Sequence, residues 1–372
     1  MNKKICFVSP YATPLFTGKN GGSGGAEKQF YLFGKYLSKN GYNISYILEK
    51  SKTNTYSEWS KLDKVDFSFL GGSKFRLLKS FVQLIKILKK NKTDITILKT
   101  PSILFLPIYI YSLLFKKQFI FWGQTDPDFN KKKELENLFV QKVREIGIRH
   151  ADFVIVQNKY QFNQLQKNFK KTGIFIPNIV EFDNLQINQA EKRNIIWVGN
   201  SSINKRFDII LVLAKLNPKL QFIVAMNVSD KKLFDSYMKQ SKLLGNILFL
   251  GSVKNKELMS HYNDAFLLLN TSIREGFPNT FLEAWAHGTP VVSVNIDPDN
   301  IIEDYNLGIT LKRSNYNNES ISSKLNAEIS KLYNNYAAYN KMKINAIVYI
   351  KNNHSPEVVV PKLLKVLDNK TN

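Results

Sequence analysis

The chain has 372 residues, 44% hydrophobic and 22% charged, a balance that belongs to a folded globular protein and excludes collagen, coiled coil and disorder. Its length exceeds the roughly 250–300 residues at which one core stops growing, so two domains are expected. A single cysteine, Cys6, excludes a disulfide framework or thiolate cluster and fits a reducing compartment.

The net charge of +23 is uneven: residues 1–180 carry 30 basic and 12 acidic side chains, residues 181–372 carry 23 and 18. A basic half points to nucleic acid, a membrane surface or a phosphorylated substrate, with lysine enrichment for solubility as the plainer reading. After Lys3-Lys4 the apolar stretch 5–8 is shorter than the h-region of ~7–15 residues in a secretory signal. The longest apolar run, 103–115, contains Pro107 and falls short of the ~20 residues of a spanning helix. A cytoplasmic chain is expected, with peripheral attachment to the inner face of the plasma membrane as an extension.

In chain order, β-branched and aromatic runs at 4–8, 42–48, 94–98, 118–121 and 152–156 alternate with helical patterns. A second series follows at 194–198, 221–225, 246–250, 265–269 and 290–294. Such alternation predicts βαβ units, hence an α/β fold of two doubly wound parallel sheets in tandem. The boundary falls near 178–192, giving domains 1–180 and 181–354. The C-terminal helix 355–372, opening at Ser355-Pro356-Glu357 with Pro at N1, is expected to complete the first domain. Residues 314–325 read as a polar loop and 326–351 as one helix. Ligands bind beyond the carboxyl ends of such strands, so the cleft between two facing sheets is the expected site.

The most informative segment is Glu275-Gly276-Phe277-Pro278-Asn279-Thr280-Phe281-Leu282-Glu283, closing at His287-Gly288. A helix starting at Pro278 and ending before Gly288 has the expected proline–glycine asymmetry. Its first amides, at Asn279 and Thr280, would make an anion site suited to a diphosphate. Glu275 and Glu283 flank that site and would accept from sugar hydroxyls. Upstream, Ile196-Trp197-Val198-Gly199-Asn200 precedes Lys205-Arg206, two cations able to neutralise charge on a departing diphosphate. A solvated helix-start pair is the plainer reading of those cations.

This block resembles the hallmark of retaining GT-B glycosyltransferases, particularly glycosyltransferase family 4, over roughly residues 194–310. The resemblance implies a GT-B fold and transfer of a sugar from a UDP- or GDP-sugar to a hydroxyl of a glycan or lipid-linked acceptor in bacterial surface polysaccharide synthesis. It implies that Glu283 holds the ribose, that Glu275 and the intervening amides contact the donor sugar, and that Lys205 binds the diphosphate. The family often has an arginine after the glycine; here that position is Asn200, which shifts diphosphate binding toward Lys205 and Arg206. No protein nucleophile, metal or cofactor is implied.

Near the N-terminus Gly24-Gly25-Ala26-Glu27, preceded by Gly21-Gly22-Ser23, matches neither G-x-G-x-x-G nor a P-loop. It resembles the family's N-terminal loop, where glycines approach the donor phosphates and acceptor. Around 119–128 many family members have a histidine; this chain has none, and Gln124 and Asp126 are the polar groups available. Asp126 would orient an acceptor hydroxyl, or simply form an Asp-Pro turn. His150, His261, His287 and His354 share no metal-ligand spacing. Residues 73–90 read as a basic amphipathic helix, with Lys79, Gln83, Lys86 and Lys90 opposite Leu77, Leu78, Phe81, Val82, Ile85 and Leu88. With Lys131-Lys132-Lys133, that helix suggests an anionic membrane surface, or else an ordinary crossover helix.

Competing readings are a nucleotide-sugar epimerase of the same fold, an NAD-dependent dehydrogenase and a nucleic-acid-binding protein. The failed glycine fingerprint disfavours the dehydrogenase, although Glu49 follows the second strand. Nucleic-acid binding leaves the glutamate pair unexplained and has no recognition motif behind it, so no nucleic acid partner is expected.

Overall fold

A computed structural model describes residues 3–17, 24–52, 54–67, 74–99, 102–131, 137–182, 194–253, 255–312 and 317–369. The chain divides into two compact units: Met1–Ile179 with Pro356–Asn372, and Val180–Ser355.

The first unit is built on strands β1 (Lys4–Val8), β2 (Asn43–Glu49), β3 (Ser60–Val65), β4 (Ile95–Lys99), β5 (Gln118–Trp122), β6 (Phe153–Val156) and β7 (Ile174–Phe175). They pair in parallel in the order β3-β2-β1-β4-β5-β6-β7. A parallel sheet covered on both faces calls for near-continuous apolar strands. β5 shows how: Phe119 and Phe121 enter one core, Ile120 and Trp122 the other. Helices α1 (Gly25–Lys39) and the C-terminal Pro356–Asp368 supply Phe30, Phe33, Val359 and Leu363 to the second core. On the opposite face lie α2 (Lys74–Lys90), α3 (Phe105–Phe115), α4 (Leu138–His150) and α5 (Lys159–Phe169).

The second unit holds β8 (Asn194–Asn200), β9 (Gln221–Asn227), β10 (Ile247–Gly251), β11 (Ala265–Asn270), β12 (Val291–Val294) and β13 (Gly308–Leu311). Their order, β10-β9-β8-β11-β12-β13, is the 3-2-1-4-5-6 arrangement of dinucleotide-binding folds. On one face pack α6 (Phe207–Leu216), α7 (Lys231–Lys242) and α11 (Asn318–Tyr333); on the other, α8 (Asn255–Asp264), α9 (Asn279–Ala286) and α10 (Ile301–Asp304). Helix α12 (Tyr336–Asn353) contributes to both cores, with Tyr339 and Met342 in one and Ala346 and Ile350 in the other. The Pro356–Asp368 helix is α13.

The tail differs from expectation. Residues 318–325, read as loop, open α11, because Asn317 Oδ1 accepts from the Ser320 amide at 2.9 Å and caps it. The single helix expected over 326–351 is broken, since Asn335 caps a new helix through the Ala338 amide at 3.0 Å. Helix α2 is a crossover helix whose apolar face is divided: Phe81, Leu84 and Leu88 are buried, whereas Leu78 and Val82 are exposed. Residues 132 and 133 of the lysine triplet lie outside the described residues. No helix among the described residues is long and apolar enough to cross a membrane.

Candidate functional site

From β8 the chain passes to β9 on one side of the sheet, and from β11 to β12 on the other. The carboxyl ends of β8 and β11 therefore flank a topological switch point, where loops diverge and leave a crevice. The two loops leaving it are stitched together. The Ile273 amide donates to the Asn204 carbonyl at 2.8 Å, the Arg274 amide to Asn204 Oδ1 at 3.2 Å, and Asn204 Nδ2 to the Arg274 carbonyl at 3.0 Å. Beneath them Trp197 Nε1 donates to Thr271 Oγ1 at 3.0 Å, and Thr271 donates to the Lys205 carbonyl at 2.6 Å. Gly199 makes room for this relay, since a Cβ there would lie 2.7 Å from the Trp197 ring. Asn200 accepts from the Ser202 hydroxyl at 2.7 Å and closes the turn.

These bonds place Lys205 Nζ in an ion pair with Glu275 Oε1, each side chain about one-fifth exposed. Arg206 goes elsewhere. It adopts a left-handed backbone, φ +49°, and its Nε lies 3.1 Å from both Asp208 carboxylate oxygens. Its terminal nitrogen bonds Asn318 Oδ1, and Asn318 Nδ2 returns to Asp208 at 2.6 Å. The sequence pair Lys205-Arg206 is thus split between two networks.

Beyond Glu275, Gly276 and Phe277 are buried, and the Phe277 ring lies 5.2 Å from that of His354. Pro278 stands at the N-cap, not inside the helix as expected: its extended ψ of 121° leaves it outside the first turn. The Phe281 amide bonds the Pro278 carbonyl at 3.1 Å, leaving the amides at 279 and 280 at the positive end of the helix dipole. The other end closes in a Schellman motif: the Gly288 amide donates to Trp285 at 3.0 Å and the Thr289 amide to Ala284 at 2.9 Å. Gly288 takes φ +63°, which suits glycine.

Glu283, 6% exposed, accepts from the Tyr262 hydroxyl at 3.0 Å through Oε2. Its carbonyl accepts from His287 Nδ1 at 2.8 Å. Thr289 Oγ1 anchors the Tyr262 carbonyl at 2.7 Å. Full burial, then the Glu283 charge, push the Tyr262 phenol well above its ordinary pKa, so it stays a donor.

In the first unit Gly24 caps α1 and Gly25 begins it; residues 21–23 lie outside the described residues. A Cβ at Gly24 would sit 2.4 Å from Glu27 Oε2. Glu27 Oε1 is 2.8 Å from Nζ of Lys99, the last residue of β4 and 6% exposed. Burial lowers the Lys99 pKa to about 8 against the opposing pull of Glu27. At the end of β5, Asp128 Oδ2 accepts from the Gln124 and Thr125 amides, both at 2.9 Å. Gln124 Oε1 lies 3.4 Å from Gln157 Nε2, while Asp126 Oδ1 accepts from Asn158 at 3.0 Å and Gln161 at 3.1 Å. Asp126 also opens the 3-10 turn Asp126–Phe129, so the Asp-Pro pair forms a turn and its acid faces the start of α5.

Residues 181–348 match the family described as Glycosyl transferases group 1. The chain carries a group 1 glycosyltransferase domain. An uncharacterised glycosyltransferase of Methanocaldococcus jannaschii is 25% identical over 247 residues, 59% of this chain and 60% of that protein. CapH, a capsular polysaccharide biosynthesis glycosyltransferase of Staphylococcus aureus, is 27% identical over 264 residues, 67% of this chain and 71% of CapH. Among solved structures, the sucrose-phosphate synthase of Thermosynechococcus elongatus superposes with a TM-score of 0.77 at 14% identity, covering 98% of each chain. Anabaena HepE in complex with UDP and glucose superposes with a TM-score of 0.75 at 15% identity, covering 98% of this chain and 99% of HepE. The fold is GT-B.

Within the glycosyltransferase domain, the sequence motifs missed the residues that hold the motif itself. Tyr262 is 21 positions from Glu283 and Asn204 is 70 from Arg274. The packing of α8 beside α9 brings Tyr262 to Glu283, and the pairing of β8 with β11 brings Asn204 to Arg274. Lys99 is likewise silent in sequence: a lysine ending an apolar strand gave the one local hint.

Proposed function

We propose that the protein is a retaining, metal-independent glycosyltransferase that moves a sugar from a UDP- or GDP-sugar to a hydroxyl of a glycan or lipid-linked acceptor. The surface-polysaccharide setting is suggested by the capsular relative, and uridine by the UDP bound to HepE. The observation that carries the reading is the Lys205–Glu275 pair at the switch point, immediately before the N-terminus of α9.

In this reading the diphosphate lies against the amides at 279 and 280 and draws Lys205 away from Glu275, which then accepts from a donor-sugar hydroxyl. Glu283, oriented by Tyr262, receives the ribose. The bond from the anomeric carbon to the diphosphate oxygen breaks with its electron pair on that oxygen. The acceptor hydroxyl oxygen bonds to the same face of the carbon, and its proton passes to the departing phosphate. Lys205 and the helix amides stabilise the growing charge. Gly24, Gly25, Gln124 and Asp126 are assigned to the phosphate and acceptor side. Arg206 braces the start of α6 instead of serving as a second diphosphate cation. The reaction would run at the cytoplasmic face of the membrane, where the basic first unit meets anionic lipid.

Calorimetric titration with UDP, GDP, CMP and NAD, on wild type and Glu283→Ala, tests the donor site. UDP or GDP binding weakened by the mutation is expected; NAD binding, or nucleotide binding indifferent to Glu283, overturns it. Retention is read from the anomeric configuration of the product by NMR.

A further inference from the structure

Helices α2, α3 and α4 lie side by side over one face of the first sheet. Lys89 Nζ sits 5.4 Å over the Phe115 ring, tying α2 to the C-terminal end of α3, and Tyr109 stacks on His150 of α4 at 4.9 Å. The Tyr111 hydroxyl donates to the Leu88 and Thr93 carbonyls at 3.2 and 2.8 Å, so α2 and α3 run in the same direction.

What α3 turns outward is unusual. Its sequence, FLPIYIYSLLF, carries no charge, and Ile110, Leu113 and Leu114 form an i, i+3, i+4 stripe on its outer side. Leu113 is 60% exposed and Leu114 69%. On α2 the stripe at 78, 82, 86 and 89 also points outward: Leu78 and Val82 are exposed, then Lys86 and Lys89. Lys116 follows at the C-cap of α3 with a left-handed backbone, φ +50°. Across α2, α3 and α4 there are nine Lys or Arg and a single acid, Glu145, which is paired with Arg149 at 3.0 Å.

A polar-faced protein surface has no reason to keep two adjacent leucines in water. Cations border the leucines on the α2 side and at the helix end, the pairing of apolar stripe and flanking lysines that an interfacial helix presents to anionic lipid. We infer that the outer face of α3, with the lysines that border it, is the surface through which this protein docks onto an anionic lipid bilayer. At 1.5 Å per residue the 11-residue helix spans roughly 16 Å, half the ~30 Å hydrocarbon core. It therefore lies along the interface, its leucines among the acyl chains and its lysines at the phosphates. The inference rests on the membrane half of the reading above, but its test involves no nucleotide or sugar, so failure of either is distinguishable.

The test is co-sedimentation of the full chain with phosphatidylcholine vesicles, with and without phosphatidylglycerol, at low and high salt. Binding that requires phosphatidylglycerol and is lost in high salt is expected. The double variant Leu113→Asp, Leu114→Asp should weaken partitioning about tenfold or more, and Lys86→Gln or Lys89→Gln about fivefold each. Leu243→Asp, at an 81% exposed apolar position in the second unit, should bind as wild type does. Unchanged circular dichroism and UDP affinity keep a folding defect from counting as a result. Failure of the wild type to bind, equal binding to uncharged vesicles, or full binding by the double aspartate variant each overturns the inference. So does sedimentation equilibrium showing that the leucines instead close a dimer.

Discussion

Tyr262 and Glu283 are joined by a 3.0 Å hydrogen bond between two buried side chains, from the end of α8 to the second turn of α9. A buried carboxylate that accepts from a fixed hydroxyl is held in one orientation. Tyr262→Phe removes a bond to a charged acceptor without changing ring volume. It should lower unfolding stability by roughly 1.5–3 kcal/mol in urea titration. UDP affinity should fall about tenfold, since Glu283 loses its orientation. A stable variant with unchanged affinity would show that Tyr262 does not position Glu283.

Glu275 and Lys205 make a prediction of opposite signs. If the proposed donor site is right, the ion pair competes with the diphosphate for Lys205, so Glu275→Gln should tighten UDP binding by up to about fivefold, the size of a partly exposed pair. Transfer should nonetheless fall by ~100-fold or more, because the donor sugar exchanges a charged acceptor for a neutral amide. Lys205→Ala should lower both. Calorimetry and turnover on the same preparations separate the cases.

Arg206 is expected to behave differently from its neighbour. Its bonds to Asp208 and Asn318 link the start of α6 to the start of α11. Arg206→Ala should cost roughly 1–2 kcal/mol of stability and change UDP affinity by less than about threefold. A loss of affinity matching that of Lys205→Ala would return Arg206 to the diphosphate site.

Lys99 supplies a pH dependence. Burial holds its folded pKa at about 8, below the 10.5 of an unperturbed lysine. Between those values the unfolded chain binds more protons than the folded one, so this group adds stability as pH rises from 8 to 10.5. Below 8 both states are protonated and the cost of the buried charge is constant. Tyrosines and Cys6 titrate nearby, so the measurable quantity is wild type minus Lys99→Met. That difference should grow in favour of wild type across pH 8–10.5 and be flat below 8. A flat difference throughout would mean that Lys99 is not buried as a cation.

Strands with strong apolar signatures were legible in sequence. β1 coincides with the expected 4–8, and β5, β8 and β11 are each only one or two residues longer than their runs. β3 was not, because its sequence SKLDKV alternates charge with aliphatics and it pairs on one side only, at the edge of the sheet. β13 and the two-residue β7 are edge strands as well. At the site, the glutamates, Lys205 and α9 were readable because motif and helix punctuation are local. The supports, Tyr262, Thr271 and Asn204, were not, because their partners are set by strand order. Arg206 illustrates the converse: adjacency in sequence to Lys205 suggested a shared role, and its own left-handed backbone just before α6 goes with a side chain bonded to Asp208 and Asn318 instead.

The chain leaves the first unit at Ile179 and re-enters it at Pro356, so α13 packs Val359, Leu363, Val366 and Leu367 into a core whose strands are the first to be synthesised. On the ribosome the second unit has its whole sequence available before the first does. Until Pro356–Asp368 is made, α1 packs on that face of the first sheet without α13 beside it. The residues of the second unit are thus complete in sequence while the first still lacks four side chains of its core. A truncation just before Pro356 would leave the second unit whole and take Val359, Leu363, Val366 and Leu367 out of the first unit's core.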